Sequence, residues 1–189
     1  MNLAERMNCA ILLADQKDFV GADAVCEEIC VALPDQPDGY YLRGLIAFRS
    51  GLLERALQYL TQAEILGSTE VGLKRSLALI LLSQADYYGA MVRYRDIAAQ
   101  GDLDRQDALP LAQLGEALRD EGAIGLAMEF FAHSRSLDSK NNPATVGLFL
   151  CAQLTCDWRE IDSLGKEVEE STQVSLINGT VPVENPFVH

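Results

Sequence analysis

The chain has 189 residues, 49% apolar and 23% charged, which is enough length and apolar material for one substantial domain with a buried core. Its formal net charge of -13 repels phosphate backbones and anionic headgroups, so it argues against nucleic acid and membrane surfaces as partners and favours a basic peptide. The longest strongly apolar run, Leu77 to Leu82, is far short of the roughly 20 residues a bilayer span needs, and the N-terminal stretch has one Arg and only a brief apolar segment before Asp15. Neither a span nor a secretory signal is expected, and the predicted compartment is the cytoplasm.

One alanine sets the organisation of the chain. Ala22, Ala56 and Ala90 recur every 34 residues and Ala127 follows after 37, each four residues before Cys26, Leu60, Tyr94 or Phe131. Twelve residues before each alanine stands a second small residue: Ala10, Gly44, Ala78 and Gly115. Two small sites per unit let two helices approach closely, which is the mark of a helix-turn-helix solenoid.

The first unit runs from Leu3 to Gln36, with predicted helices over about Leu3 to Asp15 and Phe19 to Leu33, and Pro34 closing the second. In its first helix Leu3, Met7, Ala10, Ile11 and Ala14 form an apolar stripe, while Cys9, Leu12 and Leu13 add apolar surface on other sides. The second unit, Pro37 to Glu70, places Tyr40, Gly44, Ala56, Leu60 and Ala63 at the repeating positions, with Ser50-Gly51 as the turn. In the third, Val71 to Asp104, the same role falls to Leu77, Ala78, Leu81, Ala90, Tyr94 and Ile97, with Lys74 where an aromatic residue is expected. Gly101 to Asp107 carries three extra residues and reads as a lengthened loop rather than a domain boundary.

The fourth unit, 108–141, has Leu111, Leu114, Gly115 and Leu118, then Gly122 in the turn, then Ala127 and Phe131. Over residues 3–141 this pattern resembles the tetratricopeptide repeat. The resemblance implies an all-α, α-α superhelix whose first helices line a concave face that holds peptides or partner proteins. In that geometry positions 2, 5, 9, 12 and 13 of each first helix face the groove. The residues so placed are Met7 and Ile11; Tyr41, Leu45, Phe48 and Arg49; Arg75, Leu79 and Leu82; then Glu116, Arg119 and Asp120. An apolar middle with arginines at its edges suits an amphipathic segment with an aliphatic anchor and an acidic flank.

A degenerate fifth pair follows over 142–170, giving about five helix pairs in all. Asn142-Pro143 starts a helix that runs to about Thr155, and Asp157 has capping-box spacing to Glu160, so a second helix is expected from Trp158 to about Glu170. From Ser171 to His189, Val174, Ile177, Val181, Val183 and Phe187 are scattered among Asn178-Gly179, Pro182 and Pro186, which predicts an extended C-terminal strap or linker. Asn178-Gly179-Thr180 fits a glycosylation acceptor but is read as a turn.

Cys156-Asp157-Trp158 with a helix behind it, and Asn185-Pro186-Phe187 after it, resemble the junction in O-linked N-acetylglucosamine transferase-like proteins of the bacterial type. There, repeats run into a transition helix bearing Cys-Asp-Trp, and a Pro-Phe segment precedes the glycosyltransferase lobes. Those lobes would lie past His189, so no transferase activity is expected of these 189 residues. The asparagine ladder of the eukaryotic members is not matched either, since the corresponding positions are Asn8, Leu42, Ser76 and Gln113. The alternative to a junction is that Asp157 caps a helix and Trp158 fills the core at the end of the solenoid.

The sequence has no Gly-rich phosphate loop, no histidine pair at helical spacing and no Gly-x-Ser-x-Gly nucleophile, so it is not expected to be an enzyme. Five cysteines without framework spacing agree with a reducing compartment. Cys26 and Cys30 stand four apart, but with no second pair and only His133 and His189 they read as core thiols, and no metal or cofactor is expected. The expected function is a protein-interaction scaffold, the repeat arm of a glycosyltransferase-like polypeptide in one version. A free-standing acidic adaptor or secretion-type chaperone is the other version. The surplus apolar surface of the first helix predicts a homodimer through the N-terminal repeat.

Overall fold

In two of the helix pairs a glycine on the first helix lets a large residue on the second come close. Gly44 of α3 (Pro37–Arg49) faces Leu60 of α4 (Leu53–Ile65), and a Cβ on Gly44 would stand 2.6 Å from Leu60 Cγ. Gly115 of α7 (Ala108–Asp120) meets Phe131 of α8 (Ile124–Leu137) in the same way, at 2.8 Å. The remaining helices of this computed structural model are α1 (Leu3–Asp15), α2 (Phe19–Ala32), α5 (Val71–Ser83), α6 (Tyr87–Gln100), α9 (Asn142–Thr155) and α10 (Ile161–Ile177). The structure describes residues 2–140, 142–159 and 161–179, with Asn142 described by its backbone alone; no strand occurs among them. Helices α1, α3 and α5 begin 34 residues apart, and α7 begins 37 after α5.

Local signals set the helix ends. Asn2 and Glu5 form a reciprocal capping box on α1 at 2.9 Å each way, and Asp18 accepts the Gly21 N–H at 2.9 Å to start α2. The turn joining the two helices of each pair passes through a left-handed residue, at Lys17, Gly51, Ala85, Gly122 and Cys156. Glycine takes that conformation freely at Gly51 and Gly122, whereas the other three carry a side chain there.

One compact unit ends at Gln100 and a second begins at Gly101, so the lengthened connection expected to be only a loop is where the chain divides. Its extra residues form a short 3-10 turn, Arg105–Asp107, held by Asp104, which accepts the Gln106 N–H at 2.8 Å, and by buried Asp107, which accepts the Asp104 N–H at 3.0 Å.

In the first unit α1 pairs with α2, α3 with α4 and α5 with α6; α2 packs on α3 and α4 on α5, and the first helices α1, α3 and α5 also touch in succession. Ala10, Ala14, Ala22, Cys26, Leu42 and Ile46 make one core cluster, and Ala56, Leu60, Ala63, Leu73, Leu77 and Ile80 belong to the next. Ile11, one of the residues expected to face the groove, is 40% exposed, and Leu13 packs against the cluster. In the second unit α7 pairs with α8 and α9 with α10, while α8 and α7 both reach α9. Val146, Phe149, Leu164 and Val168 fill the space between α9 and α10.

The C-terminal expectations need three corrections. Trp158 does not enter the core: it is 64% exposed, because the chain turns through Cys156 and an Asp157–Arg159 ion pair while Phe149 and Leu164 occupy the interior. The last helix opens at Ile161 rather than Trp158, and Glu160, the distant partner in the expected capping box, lies outside the described residues. The helix also continues through 171–177 where an extended strap was expected. Ser171 and Thr172 fold their hydroxyls back to the Val168 carbonyl at 3.0 and 2.8 Å, so they do not interrupt it. The turn at Asn178-Gly179, with Gly179 at φ 67°, ends the helix; residues 180–189 lie outside the described residues.

Candidate functional site

The first helices of the first unit carry the expected groove residues in register. Met7, Tyr41 and Arg75 occupy one row across α1, α3 and α5, Ile11, Leu45 and Leu79 the next, and Phe48 and Leu82 a third. On α3 and α5 these residues follow i, i+4, i+7 spacing and so share one face of each helix. The opposite sides of these helices are buried, through Leu42, Gly44, Ile46 and Ala47 on α3 and Leu73, Ser76, Leu77, Ala78 and Ile80 on α5. The row residues are half-buried, apart from exposed Ile11, so the stripe is apolar surface left over after the helices have packed.

Burial is not uniform along the stripe. Tyr41 and Phe48 pack against the second core cluster and Met7 against the first, so these three hold the fold as well as facing outward. Leu45, Leu79 and Leu82 belong to neither cluster. Arg49 Nη2 donates to Asp15 Oδ1 at 2.9 Å, tying α3 to α1, so the cation expected at the groove edge is already engaged. Arg119 lies in the second unit, where it pairs with Asp120 at 3.0 Å.

A cavity of about 280 Å3 opens beside Met7 and Tyr41 and is also walled by Asp38, Ser68, Thr69 and Glu70. Burial, and then the Glu70 carboxylate, push the Tyr41 phenol above its ordinary value, with Arg75 opposing. The sequence reading did not single out Asp38 or Glu70. Asp38 holds the second position of its repeat, one of the groove-facing ones, which was the available signal.

In the second unit a cavity of about 300 Å3 is lined by Met128, Leu148, Ala152 and Leu164 together with Asp157 and Arg159. The Arg159 guanidinium and backbone N–H hold the Asp157 carboxyl down to about 2. Cys26, Cys30 and Cys151 are buried and free, as expected of core thiols, and burial pushes the Cys26 thiol up to about 12. Among the described residues no cluster of histidine, cysteine and carboxylates could hold a metal ion, and no helix is long and apolar enough to cross a membrane.

No protein-family model and no curated protein sequence matches the chain. Solved structures do. YrrB, a TPR protein with an unusual peptide-binding site, superposes with a TM-score of 0.71 at 17% identity, over 90% of this chain and 85% of its own. MamA from Desulfovibrio magneticus RS-1 (residues 41 to the end) gives 0.70 at 16% identity over 90% of this chain and 95% of its own, and a further MamA structure gives 0.68 at 18% over 94% and 98%. These likenesses define the fold as an all-α, TPR-like solenoid.

Proposed function

We propose that the chain is a protein-interaction scaffold rather than an enzyme, and that the stripe on α1, α3 and α5 holds a segment of a protein partner. The observation that carries this is the register-matched row of apolar side chains that packing leaves half-exposed on successive first helices. Met7, Ile11, Tyr41, Leu45, Phe48, Leu79 and Leu82 form the apolar contact, with Arg49 and Arg75 at its edge; within the second unit Arg119 is proposed as a partner contact by its own repeat position. The peptide-binding site of YrrB, on the same fold, supports the reading. Net charge of -13 and the carboxylates of Asp38 and Glu70 select a segment with a basic end and disfavour nucleic acid and anionic membranes. The repeats are assigned to 3–36, 37–70, 71–104 and 108–141, and the compartment to the cytoplasm.

Cys156-Asp157-Trp158, with the indole outside the core, supports a role as the repeat arm of a glycosyltransferase-like polypeptide, because an exposed Trp leaves apolar surface for a following segment. A stop codon after His189 in the gene would favour the free-standing adaptor or chaperone instead. Leu12 is 61% exposed beside Ile11 on α1, which supports a homodimer through the N-terminal repeat.

The main reading is tested by capturing partners on the immobilised protein and titrating the recovered partner calorimetrically. Leu45→Ala and Leu79→Ala are expected to weaken binding by about 1 to 2 kcal/mol each, as for interface anchors, with less effect on unfolding. Unchanged affinity in both variants refutes the stripe as the binding face.

A further inference from the structure

A third cavity, of about 340 Å3, opens where the start of α2, the end of α3 and the first turns of α4 meet. On α3 it is reached by Ile46, Ala47 and Ser50. At about 100° per residue these point roughly half a turn away from Tyr41, Leu45 and Phe48, so it is separate from the stripe described above.

Its walls are apolar and open to solvent. Val20 is 83% exposed and Leu52 50%, an unusual outlay of aliphatic surface for two residues on one rim, and the rings of Phe19 and Tyr59 are half-buried beside them. Its charges are unequal in their commitments. Asp23 accepts Arg43 Nε at 2.6 Å and Nη2 at 3.2 Å, and the same guanidinium lies 4.6 Å over the Tyr59 ring, so the Asp23 charge is answered from within the fold. Arg55 has no ion-pair or hydrogen-bond partner among the described residues, in a chain whose net charge is -13. The Ser50 hydroxyl donates to the Ala47 carbonyl at 2.9 Å, which leaves its oxygen free to accept an N–H from a ligand.

We infer that this cavity is a second binding site, for a protein segment in which a large aliphatic or aromatic side chain is followed by aspartate or glutamate. The apolar side chain enters among Phe19, Val20, Leu52 and Tyr59, the neighbouring carboxylate takes the Arg55 guanidinium, and Ser50 accepts a backbone N–H. The volume lies near the lower end of the roughly 300–1,000 Å3 typical of ligand pockets, which suits one anchor residue and its neighbour rather than a long helix. Charge selects the occupant. An acidic chain repels acidic segments everywhere except where an unpaired cation stands beside apolar surface, and that combination occurs at Arg55.

The test uses the full chain and N-acetylated, C-amidated twelve-residue peptides that differ only at a central pair: Leu-Asp, Phe-Asp, Leu-Asn or Ala-Asp. Fluorescence anisotropy is expected to show saturable binding of the first two. Leu-Asn should bind about tenfold weaker, the scale of one charge-assisted hydrogen bond, and Ala-Asp at least as much weaker. Arg55→Gln, whose circular dichroism should match the parent because Arg55 is exposed, is expected to erase the preference for Asp over Asn. Amide shifts should fall on Val20, Leu52 and Arg55. The inference is overturned if none of the peptides saturates, if Leu-Asp and Leu-Asn bind equally, if the preference survives Arg55→Gln, or if the shifts fall on Leu45 and Leu79 instead.

Discussion

Phe131 carries the packing of the second unit, and a change that leaves Phe131 itself untouched tests it. The ring is fully buried on α8 and lies against glycines on two first helices. A Cβ on Gly147 of α9 would stand 2.3, 2.4 and 2.6 Å from Phe131 Cζ, Cε1 and Cε2, and a Cβ on Gly115 of α7 would stand 2.8 Å from Cδ1 and Cε1, so the ring lies close against the backbone of both helices and has little room to retreat. Overpacking of this kind costs about 1 to 3 kcal/mol, and the better helix propensity of alanine returns at most about 1 kcal/mol. Gly147→Ala is therefore expected to destabilise by about 1 to 2 kcal/mol. Phe131→Ala, which empties the site, should cost about 3 to 5 kcal/mol. Urea denaturation followed by circular dichroism measures both. Phe131→Leu removes the ring atoms that Gly147→Ala would strike, so the double variant should be more stable than the summed singles by at least about 1 kcal/mol. A neutral Gly147→Ala, or strict additivity in the double variant, refutes the idea that this ring needs both glycines.

The left-handed turn residues allow a paired test: Gly122→Ala meets no atom within 4 Å, so its expected loss of about 1 kcal/mol is purely backbone, whereas Ala85→Gly should be neutral or gain up to about 1 kcal/mol. Thermal melts that rank the two in the opposite order would contradict the assigned turns. Iodoacetamide at about pH 8 should modify exposed Cys156 first and Cys9 next, leaving Cys26, Cys30 and Cys151 unlabelled in the folded chain. Because burial raises the folded Cys26 value from 9.0 to about 12, its contribution to stability is full below pH 9 and is lost as pH rises through that window; alkaline denaturation that is unchanged in Cys26→Ala would count against this. Light scattering at micromolar concentration is expected to give a dimer that Leu12→Glu converts to monomer, and a parent chain of monomer mass would end the proposal of an N-terminal interface.

Periodicity alone determined most of this protein. Small residues at Ala10, Gly44, Ala78 and Gly115, and again at Ala22, Ala56, Ala90 and Ala127, were readable as helix crossings, because only small side chains let backbones approach that closely. The same repeat put the groove residues on successive first helices. Tertiary structure decided how far each is free to bind. Phe48 and Tyr41 pack partly against the core, Arg49 is tied to Asp15 across one repeat length, and Leu45 and Leu79 are half-buried outside the two core clusters of the first unit. It also decided the end of the chain, where local signals misled. A lone tryptophan after a helix reads as a core plug, but Phe149, Leu164 and Val168 had already filled that space. Asn178-Gly179, Pro182 and Pro186 made the stretch from Ser171 onward read as extended, yet the hydroxyls of Ser171 and Thr172 bond back to Val168 and the helix continues to Ile177. The cavity around Arg55 was invisible in the sequence for the same reason. Its walls come from three helices, and whether a guanidinium is paired depends on which carboxylate the fold brings to it.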